Sequence, residues 1–589
     1  MDTETLASLS VSTRPMFDTP MRSGSVFRSG DAALQRIYDL AAAGLRCNTR
    51  FFNDRLSLIT EGAEYPGAYL ESAPNGGAMY AKFDPQIALN HQAVFFHGQR
   101  SDGRLPAAVY PAAWAEKRGY DAEPPSGHTW VSDLGILATY NSLGHDYDLP
   151  ETSWRTYFWA GRDRAFLEKA YSALAAFDAY LWKHRDSDGD GVLETWCTWD
   201  TGEDNCTRLL ARGAPSCWPF DHPPFGESLP DPQDPAAFKS YWIESHERGD
   251  TPPRREEVRV PFASMDIMAW SYEGRAALAK MARELGNGME SVWDGKAGEV
   301  RQKVEEHLWD PARGACFDRD REGVVLPELV HNNIRAMHHG LFTQDMADAF
   351  VSMHLLNPDE FWTYAPLPSI SVKESLFLND PVNNWSGQAQ GLTYQRAIRA
   401  LENYGHFAEV SLIGEKLFHL LESNDFRFPQ QFDPFTGAAG RMTGPPYSPM
   451  MFAALEYMLR LHGVHLALEE DQVWWSCLDG RNHEFEHVQV WAGRTWKISC
   501  KSGVFTGEVD GRECFSCTTG CRVITGLDGR SLRLVGLAPS SQECLLKSDG
   551  HSWSLVVAPN EVWELHDGRF RLAQVVPFTC PPVPQKITQ

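Results

Sequence analysis

The sequence predicts a mainly α-helical protein that ends in a β-sandwich-like appendage of about 120 residues. Three observations carry this expectation. Up to about residue 468, apolar residues recur at three- and four-residue spacings in segment after segment. No strand-like runs alternate with those segments, which argues against a parallel βαβ sheet. Beyond Glu469 the period shortens to two: His487–Trp491, Arg494–Cys500, Arg530–Val535 and Trp553–Val557 alternate, favour β residues and are broken by D-G, A-G and S-G turns.

Taken in order, residues 1–30 read as an irregular lead-in or an opening strand. Asp31–Phe51 is the first predicted helix, with Asp31 as its cap. Glu61–Pro106 begins as a Gly/Pro-punctuated loop and continues as a helix over Pro85–Gln99, where proline suits the first turn. Helices are expected next at His128–Leu143 and Arg164–Trp182. Gly213–Arg255 is rich in proline and charge; a loop of that length either roofs a pocket or is a solvated insertion. Helical periodicity resumes at Phe262–Glu284, Gly288–Trp309, Leu329–His338, Gln344–Leu356, Gly387–Asn403, His406–Leu421 and Ser448–Leu461. The expected plan is a lead-in (1–30), a helical domain (31–468) and a β-rich domain (469–589). The last is read first as a structural cap, with a sugar-binding module or an oligomer contact as alternatives, so a homo-oligomer stays open.

Composition excludes several classes of function. The 589 residues suffice for a large core. A net charge of −24 opposes binding to nucleic acid or an anionic membrane, which need basic surfaces. The first residues carry early acids and no apolar stretch, so no secretory signal is expected, and no run of about 18 apolar residues spans a membrane. The 12 cysteines are scattered, as in a cytoplasmic protein with reduced thiols. There is no Gly-rich phosphate loop, G-x-S-x-G elbow or H-E-x-x-H pair, and no cofactor is expected. Asp186-x-Asp-x-Asp-Gly191 copies half of a calcium loop, but its twelfth position is Cys197; a metal-free turn fits better. Cys514, Cys517 and Cys521 have zinc-like spacing without a partner pair and read as buried thiols.

The chemistry concentrates in His184–Arg208, where a helix runs into an acidic turn and then a loop carrying Trp199, Asp200, Glu203, Asp204 and Arg208. Aromatic rings and acids gathered in one loop point to a ligand. This stretch resembles the α,α-toroid glycosidases related to glycoside hydrolase family 63, the trehalases and the mannosylglycerate hydrolases. There an R-D-x-D-G-D-G turn precedes W-E-S-G-x-D-N-S-x-R; here the runs are Arg185–Gly191 and Trp199–Arg208, with Asp200 in place of the glutamate. Three later stretches continue the resemblance: Phe361–Ser371, Asn384–Gln388, in which Gln388 replaces a proline, and Pro429–Gly437.

The resemblance implies helix pairs closed into an (α/α)6 toroid and hydrolysis of a small α-linked glycoside with inversion. It makes Asp204 the general acid; an ion pair between Asp204 and Arg208 is the structural alternative. It places Tyr65, Glu71, Tyr80, Trp199, Asp200, Arg208, Trp362, Trp385, Gln388, Gln431 and Asp433 around the sugar. One departure matters: the position of the general base is Gln430, and an amide cannot take a proton from water. Four readings follow. Another carboxylate serves as base (Glu71, Glu374 or Asp433); phosphate replaces water, giving a phosphorylase; the reaction uses the acid alone, as a glycosidase or lyase; or the site binds sugar without catalysis.

Overall fold

The computed structural model describes residues 16–53, 56–62, 65–111, 128–131, 135–382, 385–440, 446–478, 484–584 and 586; the first half of the lead-in and Asn384 lie outside these. Its frame is a succession of helices followed by a β-rich region. The helices begin where the sequence supplies caps. In α1 (Ala32–Asn48) the Asp31 carboxylate accepts the N–H groups of Ala33 and Leu34. Asp84 caps α3 (Pro85–His97), and Asp163 caps α5 (Arg164–His184). Ser264 opens α6 (Met265–Leu285), which Gly286 ends in the left-handed region at φ 66°.

The other predicted helices form within about four residues of their expected ends: α7 (Glu290–His307), α8 (Asn332–His338), α9 (Gln344–Phe350, continued by a π-helical turn Val351–Leu355), α10 (Gly391–Glu402), α11 (Phe407–Ser423) and α12 (Ser448–His462). Two helices were not foreseen, α2 (Ala73–Tyr80) and α4 (Leu149–Trp159). The sequence of α2, APNGGAMY, has poor helix propensity, but every residue is buried. A Cβ on Gly76 would lie 2.7 Å from the Phe452 ring of α12, and one on Gly77 would strike His91 of α3. The glycines are therefore used for close helix approach, and tertiary packing overrides propensity.

His128–Leu143 is not a helix. It contains two antiparallel strands, His128–Val131 and Ile136–Thr139, in a four-stranded sheet with Ala108–Pro111 and Ala68–Tyr69. Its β-branched and aromatic residues flank Gly135, at φ 61°. Ile136–Thr139 is buried on both faces, which blurs the alternation that would have marked a strand.

Successive even-numbered helices pack side by side: α2 on α4, α4 on α6, α6 on α8, α8 on α10, α10 on α12, and α12 on α2. Helices α1, α3, α5, α7 and α11 each pack against members of this series. Among the described residues no helix is long and apolar enough to cross a membrane.

The β-rich region starts at Gly463. Six strands between Gly463 and Gln574 form one antiparallel sheet. The second sheet has seven strands, and its edge strand is the opening segment Ser23–Ser29, paired with Phe485–Trp491. Strand Arg494–Lys501 alternates as predicted, burying Trp496, Ile498 and Cys500, and the rings of Trp475 and Phe515 meet between the sheets at 5.7 Å. The Cys517 and Cys521 thiols are 3.5 Å apart, whereas the Cys514 thiol meets the Arg512 carbonyl.

A buried charge network joins the helices to the sheets. Glu402 of α10 accepts from Arg460 of α12 at 3.1 Å and from Arg522 of the six-stranded sheet at 3.0 Å, all three being at most 7% exposed. We predict that Glu402→Ala destabilises the fold by about 3–5 kcal/mol, because it leaves buried guanidinium charge without its carboxylate. Urea unfolding measures this; a midpoint equal to wild type would mean that the network does not hold the two regions together.

Candidate active site

Helix α5 delivers Arg185 to the start of the acid loop. Arg185 bonds both oxygens of Asp200, and Asp200 also accepts the backbone N–H groups of Trp196 (2.8 Å) and Leu143 (2.6 Å). Burial works against the Asp200 charge, but Arg185 and these donors hold its pKa below the usual range. Asp200 is fully enclosed and anchors the loop. Asp186, Asp188 and Asp190 each accept a backbone N–H inside their turn.

Arg208 does not pair with Asp204. It bonds Glu203 at 2.8 Å and Asp318 at 2.7 Å, and although burial opposes it, the guanidinium brings Glu203 down to about 2. Asp204 instead projects into a cavity lined by Glu61, Tyr65, Tyr69, Glu71, His145, Trp385, Leu392, Gln430 and Tyr447. Its neighbours are the His145 ring nitrogen at 4.0 Å and the Trp385 N–H, which reaches the Asp204 carbonyl at 3.4 Å. Burial raises the Asp204 pKa well above the carboxylate range; Glu244 and Glu61 add to this and Arg335 opposes it. Burial thus favours the protonated form of Asp204 over the ionised one. His145 is pushed the other way by burial, to about 4, and stays neutral.

Behind the loop stands Glu244, from the proline-rich segment. That segment is not a plain loop: it carries the short helices Pro235–Tyr241 and Ile243–Glu247. Glu244 accepts from the Trp199 indole at 2.7 Å and from the Thr198 hydroxyl at 3.0 Å, and it also bonds the Asn205 backbone. An indole N–H only donates, so Glu244 is held there as an acceptor.

The later motifs also converge on the cavity. Residues 389–390 pair with 431–432 in a short antiparallel ladder, and the Gly391 N–H donates to the Gln430 carbonyl at 2.8 Å. The Gln430 side chain faces the cavity and accepts from the Tyr65 hydroxyl at 3.1 Å.

Of the residues selected from sequence, Tyr65, Glu71, Asp204, Trp385 and Gln430 meet in this lining. The others lie outside it. Trp199 stacks on His145, with ring centres 6.2 Å apart. Tyr80 packs between Phe83 and Phe452. Trp362 bonds the Pro582 carbonyl. Gln388 and Gln431 bond each other at 2.9 Å. Asp433 caps its own turn through the N–H groups of Phe435 and Thr436, and Glu374 accepts from the Leu329 N–H. Sequence reading missed Glu61, Tyr69, His145, Tyr447 and Leu392. The Gly/Pro-rich texture around Glu61 and Tyr69 was a signal for the loop, though not for these side chains.

Residues 78–449 match the family described as the mannosylglycerate hydrolase MGH1-like glycoside hydrolase domain. The mannosylglycerate hydrolase of Rubrobacter radiotolerans is 24% identical over 383 residues, 61% of this chain and 83% of that one. Among solved structures, the GH63 mannosylglycerate hydrolase from Thermus thermophilus in complex with glucose is similar in fold. Its TM-score is 0.52 at 18% identity, over 72% of this chain and 99% of that chain. A sialidase structure reaches 0.57 at 12% identity, over 85% of this chain and 41% of that chain. The family match covers more than half of the sequence, so the protein belongs to the MGH1-like glycoside hydrolases and is a glycosidase.

Proposed function

We propose that this enzyme hydrolyses a small α-linked glycoside with inversion, using Asp204 as general acid. The observation that carries the reading is the Asp204 carboxyl: it faces the cavity, has no arginine partner and has its pKa raised by burial. A general acid needs that state. Trp385 forms a wall of the sugar site, Tyr65 and Glu71 contact hydroxyl groups, and Gln430 faces the anomeric carbon without acting as base. The remaining sequence-selected residues position these groups. The substrate class follows from the relatives, for which mannosylglycerate is the first compound to try.

We further propose that the six even-numbered helices close into the inner ring of an (α/α)6 toroid, which their order of packing supports. The catalytic domain then ends near His462, and the opening strand belongs with the β-rich domain. Phosphorolysis is disfavoured because the described lining holds no arginine or lysine to receive a phosphate dianion.

Asp204→Asn is predicted to lower turnover of an unactivated glycoside at least about a thousandfold, and to spare an α-glycosyl fluoride, whose leaving group needs no proton. Stability gives an independent check. A carboxyl whose folded pKa is raised contributes its full stability below the unfolded value and loses it as pH rises through the folded value. Asp204→Asn removes that loss, so it raises the melting temperature at pH 8 and not at pH 4. Equal effects at both pH values would remove Asp204 from the role of buried acid.

Glu244→Gln removes a negative charge that raises Asp204. The prediction is an alkaline limb of the activity profile displaced to lower pH, with the limb restored by Glu244→Asp. A uniform fall in rate with no movement of the limb would assign Glu244 to loop packing alone.

A further inference from the structure

Inversion needs a carboxylate on the face opposite the acid, with water between them. The resemblance puts Gln430 at the place of that carboxylate, and an amide cannot ionise. Two other acids share the cavity, and their surroundings differ. Glu71 belongs to the wall of the acid loop: a Cβ on Gly202, two residues before Asp204, would lie 2.9 Å from Glu71 Oε1. Glu71 Oε1 is buried without a hydrogen-bond partner, a setting suited to a neutral carboxyl.

Glu61 belongs to the other wall. Its carboxylate accepts from the Ser72 and Tyr447 hydroxyls, and its backbone carbonyl accepts the Ser448 N–H at 2.7 Å, tying it to the start of α12 just beyond the Gln430 loop. The Tyr447 ring lies 6.3 Å from that of Tyr65, whose hydroxyl bonds Gln430. Glu61, Tyr447, Tyr65 and Gln430 thus form one continuous side of the cavity. Burial raises the Glu61 pKa, but two hydroxyl donors work against it in favour of the ionised form, whereas Glu71 Oε1 has none.

We propose that Glu61 is the general base, supplying the carboxylate that Gln430 lacks, while Gln430 and Tyr65 hold the attacking water. The assignment rests on the hydrolytic reading above. In the step, Glu61 takes a proton from water as the water oxygen bonds the anomeric carbon. The glycosidic C–O bond breaks, and its oxygen takes the proton of Asp204. Afterwards Glu61 returns its proton to solvent and Asp204 regains one, so no oxidant or co-reactant is needed.

The test uses the full chain and the α-glycosyl fluoride that wild type turns over fastest, since fluoride leaves without the acid. Glu61→Ala and Glu61→Gln are expected to lose about a thousandfold on this substrate while Asp204→Asn does not. Sodium azide, a nucleophile that needs no base, should restore turnover to Glu61→Ala and yield the β-glycosyl azide, identified by NMR. It should not rescue Glu71→Ala. If Glu61→Ala fails to fold, Glu61→Gln carries the kinetic arm, and adding Gln430→Glu to it should recover hydrolysis on the same wall. Retention of activity within about tenfold in Glu61→Gln, or azide rescue of Glu71→Ala instead, overturns the assignment. Failure of wild type on every fluoride and glycoside tried would sink the hydrolytic reading itself, and this proposal with it.

Discussion

The site depends on a buried ion pair that takes no part in chemistry. Arg185 and Asp200 are both fully enclosed, and Arg185 also lies over the Trp196 ring at 3.9 Å. Such a pair contributes little net stability, since desolvation offsets the attraction. Its value is geometric. Asp200 gathers the end of α5, the chain at Trp196 and the loop at Leu143 onto one carboxylate. Four residues later Asp204 is left facing the cavity. The two aspartates share a loop and are both buried, yet their pKa values move in opposite directions, because one has a guanidinium and the other has only acids and a distant arginine.

The same separation of charge extends through the helical region. The arginines of α8 and α10 are turned away from the lining: Arg335 bonds Asp266 at 3.1 Å, and Arg396 bonds Asp146 at 2.8 Å and the Glu71 carbonyl at 2.7 Å. They neutralise the acids beneath the site, whereas Glu61, Glu71 and Asp204 face the cavity with no direct cation partner among the described residues. Burial is the largest influence on all three and raises each pKa, so a proton is held more readily in this cavity than on a solvated carboxylate.

Much of this was legible from the chain. Helix periodicity gave ten of the helices named above, strand alternation gave the β-rich region, and the spacing from Arg185 to Arg208 located the acid loop. What was hidden has physical causes. Helix α2 is written with glycines because its neighbours leave no room for side chains, so its local signal is that of a loop. Tyr80 and Trp362 look like sugar platforms by residue type, but their rings are used in packing. Glu61 gave no local sign at all, because its partners are Ser72 from the same loop and Tyr447 from the far end of the helical region.

The proline-rich segment shows why composition alone was ambiguous. Its exposed residues read as a solvated insertion, and much of Pro235–Glu247 is indeed exposed. Glu244, by contrast, is buried, as are Phe238, Trp242 and Ser245, and it bonds Thr198, Trp199 and the backbone of Asn205, whose positive φ of 58° lies directly after Asp204. A non-glycine residue in that conformation needs support from its surroundings. The segment supplies that support and, with the same carboxylate, adds to the effect of burial in raising the pKa of Asp204. A residue outside every matched motif thus contributes to both the position and the protonation of the acid, so the motifs could locate the acid without showing all that tunes it.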